Sequence, residues 1–171
     1  MTYLKFCKIT AKLILLPGLL TGLLITGNVF ALTDMQGNEK RFTDMLSKDK
    51  WTVFEVWASD CPACPDAVFY MKNLKKRYSH KVELIGVSID GDHGDKGKAM
   101  AQAFMNKHQL TFPTLLGRTV EVDNFLYNYG EDLFGTPSVL IFNPAGELRG
   151  IEVGAIISQD VIDFIEKEES R

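Results

Sequence analysis

Apolar and polar residues fall in blocks along this chain, and the period of the blocks changes from one to the next. Residues 51–59 are almost unbroken apolar sequence rich in β-branched and aromatic side chains, the pattern of a strand buried on both faces. Over residues 67–78 the period lengthens: Val68, Met71 and Leu74 share one helical face, and Lys72, Lys75 and Lys76 fall elsewhere. Residues 82–89 predict a second central strand, 91–98 a solvated acidic loop, 99–108 a helix, 111–116 a short extended piece and 120–129 another helix. Two strands, 138–142 and 148–153, flank the turn sequence Asn143-Pro144-Ala145-Gly146. Residues 156–168 close the chain as a helix with Ser158 as its expected cap. Upstream, 33–46 read as an irregular hairpin turning at Gly37-Asn38. Strands and helices alternate first, then a hairpin and a helix follow. That order predicts an α/β fold, a three-layer sandwich with a central mixed β-sheet and flanking helices.

The first 31 residues are of another kind. Lys5, Lys8 and Lys12 precede an uncharged apolar stretch, 13–31, and no acid occurs there. Val29-Phe30-Ala31 places small or aliphatic residues where a signal peptidase inspects the chain. The stretch is also about long enough to span a bilayer, so residues 1–31 are expected to be a signal peptide or an N-terminal membrane anchor, with 32–171 as the folded domain. Either way the lysines stay inside and the domain is exported, to the periplasm or the extracytoplasmic face of the inner membrane.

Charge sharpens this division. Three of the 19 basic residues lie in the first segment, which leaves 16 against 22 acidic residues in the remainder, a net of −6. No basic patch is available for nucleic acid, and that partner class is excluded. Of three cysteines, Cys7 lies ahead of the apolar stretch, and the other two stand together as Cys61-Pro62-Ala63-Cys64. Outside the cytoplasm such a pair can form a lasting disulfide.

The pair sits where the 51–59 strand hands over to the 67–78 helix. A helix start supplies partial positive charge and unpaired N–H groups, which favour a thiolate, and the thiolate is the nucleophile of disulfide exchange. Cys61, ahead of the helix, is the expected attacker, and Cys64, set deeper, the expected resolving thiol. Closing so small a ring removes little chain entropy, about 2 kcal/mol, so the bond suits redox work better than stapling. Pro62 and Pro65 disfavour helical geometry at Cys61 and Cys64, which moves the regular helix start towards Pro65. Asp60 opposes the thiolate: at roughly 7 Å and an effective dielectric of about 20–80 the repulsion is roughly 0.6–2.4 kcal/mol. It biases the pair towards acting as a reductant unless its carboxylate points away into water. Glu55 is a carboxylate within Val, Phe, Val and Trp. Burial there would raise its pKa and make it a proton acceptor for Cys64, and the alternative is a solvated edge strand.

These residues together resemble the thioredoxin superfamily, and within it the extracytoplasmic thiol–disulfide oxidoreductases of the TlpA/ResA/DsbE type, over about residues 33–168. Trp57-Ala58-x-x-Cys61-x-x-Cys64 is similar to the superfamily's active-site stretch, and Glu55 falls where thioredoxins carry a buried acid. Gly135-Thr136-Pro137 resembles the loop whose cis proline faces the cysteines, and residues 84–90 followed by a helix and 110–113 resemble the strand–helix insertion of the TlpA-like branch. The resemblance implies catalysis by Cys61, Cys64 and Glu55, substrate docking at Thr136, Pro137 and Trp57, and redox tuning by Asp60, Pro62 and Ala63. It implies disulfide-containing exported proteins as substrates, a membrane electron donor of the thiol-reducing type, and no cofactor. The chain departs from the family pattern in Pro62-Ala63, in Asp60 where an aromatic is common, and in Ser138 after Pro137.

Other chemistries fit less well. Zinc needs two further ligands at suitable spacing, and His80, His93 and His108 are scattered, so no metal is expected. A peroxidatic cysteine would want a threonine three residues upstream, where Ala58 stands. The loop from Asp90 to Asp95 lacks the ligand pattern of a calcium site, and His93 in it reads as a surface histidine. The competing functions are a disulfide-forming oxidase or isomerase, and a non-catalytic module that holds a client or a metal.

Overall fold

The computed structural model describes residues 32–171. The expected signal peptide or anchor lies outside the described residues. The elements are β1 (Leu32–Asp34), β2 (Glu39–Lys40), β3 (Trp51–Trp57), α1 (Cys64–Tyr78), β4 (Val82–Ser88), α2 (Gly97–His108), β5 (Thr114–Leu116), α3 (Thr119–Tyr127), β6 (Ser138–Phe142), β7 (Leu148–Val153) and α4 (Ser158–Glu169). The strands form one mixed sheet in the order β2-β1-β5-β4-β3-β6-β7. β3, β4 and β5 run parallel, and β1, β2, β6 and β7 complete the sheet antiparallel.

β3 lies at the centre with β4 and β6 as neighbours, and all seven of its residues are buried. Its side chains alternate between two cores, as the period of a strand requires. Val53 and Trp57 join Cys64, Val68, Met71 and Leu74 of α1, Phe104 of α2 and Ile165 of α4. Phe54 and Val56 join Phe125 and Leu126 of α3 on the other face, where the rings of Phe42 and Phe125 stack at 4.2 Å. The sheet is therefore covered on both sides, which makes the three layers expected from the sequence. Among the described residues no helix is long and apolar enough to cross a membrane.

The boundaries differ from the sequence reading in instructive places. α1 begins at Cys64, three residues earlier than its apolar periodicity, because Pro65 lacks only an N–H that the first helical turn leaves unused. Ser158 does not cap α4: Ile157 holds that position, and the Ser158 hydroxyl donates to the carbonyl of Tyr70 in α1. On α3 Phe125 is buried and Tyr129, just past its end, packs on it, while Tyr127 is exposed. The expected acidic loop is a tight 3-10 turn over Asp90–Lys96, broken at Gly94, whose φ of 59° favours glycine. Residues 92–96 are exposed, as a solvated loop requires, and the departure is Asp90 at its head, which is fully buried.

Candidate functional site

Cys61 and Cys64 are joined by a disulfide with their Cα atoms 5.4 Å apart. Local sequence explains the bend that brings them together. The Cys61 N–H donates to the Ala58 carbonyl and the Cys64 N–H to the Cys61 carbonyl, so two tight turns follow one another before α1 begins. Pro62 and Ala63 sit exposed at the tip of this bend. Cys61 is half-buried, whereas Cys64, first residue of α1, is wholly buried in the core.

The Gly135-Thr136-Pro137 loop closes over the pair. The Thr136–Pro137 peptide is cis, and the Thr136 carbonyl oxygen lies 3.4 Å from Cys61 Sγ. Thr136 is half-buried and Pro137 buried. The loop is tied down twice, by the Ser138 hydroxyl donating to the Gly135 carbonyl (2.7 Å) and by the Gly154 N–H donating to the Pro137 carbonyl (2.8 Å).

Behind the disulfide, strand alternation points Glu55 to the α1 side of the sheet, the side of Val53 and Trp57. Its central strand excludes the solvated edge considered from sequence. Glu55 is fully buried, neither of its carboxyl oxygens has a protein partner, and burial holds its pKa well above the ordinary glutamate value of 4.5. Among the described residues two more buried polar atoms lack protein partners, Trp57 Nε1 and Thr114 Oγ1. Both crowd the bare face of Gly86, the β4 residue in register with Glu55: a Cβ there would stand 3.1 Å from the indole nitrogen and 2.8 Å from the hydroxyl. Thr114 carried no sequence signal, because only the parallel β4–β5 register brings it beside Gly86.

Trp57 corrects the sequence reading. It was expected on the docking surface, yet it is completely buried and stacks on Phe104 at 4.5 Å. Alternation along a central strand turns it inward, so it supports the site from below and offers nothing to a substrate.

On the other flank of Cys61, Asp60 is exposed and its Oδ2 lies 3.6 Å from His93 Nε2. His93 in turn lies 4.0 Å from Asp90 Oδ1. Asp90 accepts hydrogen bonds from the Ser59 N–H (3.0 Å), the Ser59 hydroxyl (2.8 Å) and the Ser88 hydroxyl (2.8 Å). The three functional groups stand within 4.8 Å of one another. Both Asp90 oxygens are already committed to serine donors, and His93 stands between the two carboxylates, placed to pair with them when its imidazole carries a proton. Sequence reasoning treated Asp60 and His93 separately, and the signal that links them is tertiary.

Comparison with known proteins adds three findings. Residues 27–151 match the AhpC/TSA family. The thiol-disulfide oxidoreductase ResA of Geobacillus kaustophilus is 28% identical over 138 residues, covering 80% of this chain and 72% of that protein, and the thioredoxin-like protein YneN of Bacillus subtilis is 24% identical over 132 residues, covering 77% and 72%. Among solved structures, StoA of Bacillus subtilis superposes with a TM-score of 0.60 at 18% identity, covering 80% of this chain and 95% of its own. A DsbE-type thiol:disulfide interchange protein of Chlorobium tepidum reaches 0.62 at 19% identity, covering 81% and 91%. The structural likenesses show the fold, the thioredoxin-like sandwich that the motifs implied.

Proposed function

Because the chain belongs to the AhpC/TSA family and carries a paired Cys-x-x-Cys at a helix start, we propose that it is an extracytoplasmic thiol–disulfide oxidoreductase that reduces disulfides of exported proteins. The observation that carries this reading is the asymmetry of one disulfide: Cys61 is within reach of solvent, Cys64 is sealed in the core, and an unpartnered buried carboxyl, Glu55, faces the same side of the sheet. Ala58 in place of a threonine, together with a second cysteine so close, favours disulfide exchange over peroxide reduction.

In the reduced protein the Cys61 thiolate attacks one sulfur of a client disulfide. That S–S bond breaks, a mixed disulfide forms and the displaced client thiolate takes up a proton. The fraction of Glu55 that has lost its proton accepts the proton of Cys64, whose thiolate attacks Cys61 Sγ and releases the second client thiolate. The client has gained two electrons, and the protein is left with the Cys61–Cys64 disulfide. A raised Glu55 pKa brings the acceptor closer to that of a thiol, which eases the transfer. Thr136 presents its backbone beside Cys61 as a docking edge for an extended client segment, and Pro137, without an N–H, shapes that edge from beneath. Asp60, Pro62 and Ala63 set the thiol's reactivity. Residues 1–31 deliver or tether the domain outside the inner membrane, where a membrane thiol-reducing donor returns the electrons.

The reduction potential tests the direction of flow. A value near the −270 mV or so of thioredoxin supports a reductase, and one near the −120 mV or so of DsbA overturns it for an oxidase. Cys64→Ser should trap exported clients covalently on Cys61. Clients held without a covalent bond would instead indicate a binding module.

A further inference from the structure

Among the described residues His93 stands between Asp60, the neighbour of Cys61, and Asp90, and the mechanism above gives this histidine no part. We propose that His93 is a positioning residue for the exchange reaction: its imidazolium, held against Asp60 and Asp90, offsets the Asp60 carboxylate next to Cys61 and so raises the thiolate fraction of the attacking sulfur. This rests on Cys61 being the attacker.

Three observations converge on it. Asp60 precedes Cys61 directly, and its carboxylate points to His93 and not simply into water, with Oδ2 and Nε2 3.6 Å apart. Asp90, fully buried, binds both the backbone and the side chain of Ser59, so the residue before Asp60 is fastened to the turn that carries His93. That turn is itself built in from both ends. The Gly91 N–H donates to the Gly117 carbonyl, Asp92 accepts from the N–H and hydroxyl of Thr119, and a Cβ at Gly97 would stand 2.0 Å from the Asp90 carbonyl oxygen. Gly94, at φ 59°, makes the kink that follows His93. The turn thus fixes the backbone from which the exposed His93 side chain reaches both carboxylates.

The charge consequence follows directly. With the imidazole protonated, Asp60, Asp90 and His93 carry one net negative charge beside the cysteine turn, and with it neutral they carry two. Fewer negative charges favour the Cys61 thiolate. Other charged groups face this region. Asp92 lies on the same turn, and Arg118, just ahead of α3, interacts with it electrostatically. Lys107 and His108 of α2 line a depression shared with Ser59 and Pro65, and burial together with Lys107 and Lys72 lowers the His108 pKa. Glu55 lies within the core beneath.

The test is the rate at which iodoacetamide alkylates Cys61 in the reduced full-length protein as a function of pH. In H93Q the rate should fall about threefold where the imidazole is protonated, the equivalent of half a pKa unit, and converge on the parent rate at alkaline pH. H93K should restore the acid-side rate and extend it past the pH at which histidine loses its proton. D60N/H93Q should also recover the rate, because the charge to be offset is gone. H108Q should leave the difference in place. An H93Q profile identical to the parent, an equal loss at every pH, no rescue by lysine, or no recovery in the double variant would each overturn the role of His93. A reduced Cys61 that resists alkylation at every pH in the parent would instead overturn the proposed function.

Discussion

At the scale of single residues, the site is built from groups whose surroundings contradict their ordinary preferences. Glu55 is an acid in the core with no protein partner, so its neutral form is the one that folding tolerates. Its pKa is about 4.5 when unfolded and well above that when folded. The native state therefore holds a proton that the unfolded chain has lost, and between those two values stability falls as pH rises. Glu55→Gln should abolish that fall and equal or exceed the parent in stability at neutral pH, as urea titrations of the oxidised proteins across pH would show. The same substitution should slow resolution of a mixed disulfide by Cys64 by about 10²-fold, the lower range of general-base assistance, in a stopped-flow assay. Glu55, Cys61 and Cys64 were all legible in the sequence, because a carboxylate in an apolar run and a close cysteine pair stand out locally. Trp57 was legible as important and misread in role, since a motif does not say which way a strand turns its side chains. Thr114 and the Asp60–His93 pairing were not legible, because strand register and loop packing bring them into place.

At the scale of elements, β4 and the turn after it do more for the site than their composition announces. Gly86 lets Trp57, Phe112 and Thr114 close over the strand, with a Cβ predicted at 2.8–3.1 Å from all three side chains. Gly86→Ala should destabilise the protein by about 1–3 kcal/mol by overpacking, read from denaturant midpoints, with a shift in tryptophan fluorescence that reports the displaced Trp57 ring. Asp90, two residues past the end of β4, fastens the cysteine turn. Asp90→Ala would leave the donors at Ser59 and Ser88 without their acceptor in a mostly buried place and should lower stability by about 2–4 kcal/mol in the same assay. Long elements such as β3 and α1 were readable because their periods persist over many residues. The start of α1 was legible from Pro65 to within one residue, whereas the 3-10 turn was not, because a buried aspartate at the head of a polar run departs from those periods.

At the scale of the molecule, two cores on opposite faces of one sheet hold β3 in the middle, and the end of β3 delivers Cys61 to the surface while α1 draws Cys64 inward. Family membership, relatives at 24–28% identity and the thioredoxin-like superposition agree with that arrangement. The central claim is that the two sulfurs have unequal access. It is tested most directly by exposing reduced Cys61→Ser and Cys64→Ser variants to glutathione disulfide and following adduct formation by intact-mass spectrometry. With Cys7 replaced by serine in both, the Cys64→Ser protein should gain one glutathione on Cys61 quickly, and the Cys61→Ser protein should remain almost unmodified while folded. Equal modification of the two variants, or none in either, would contradict the account.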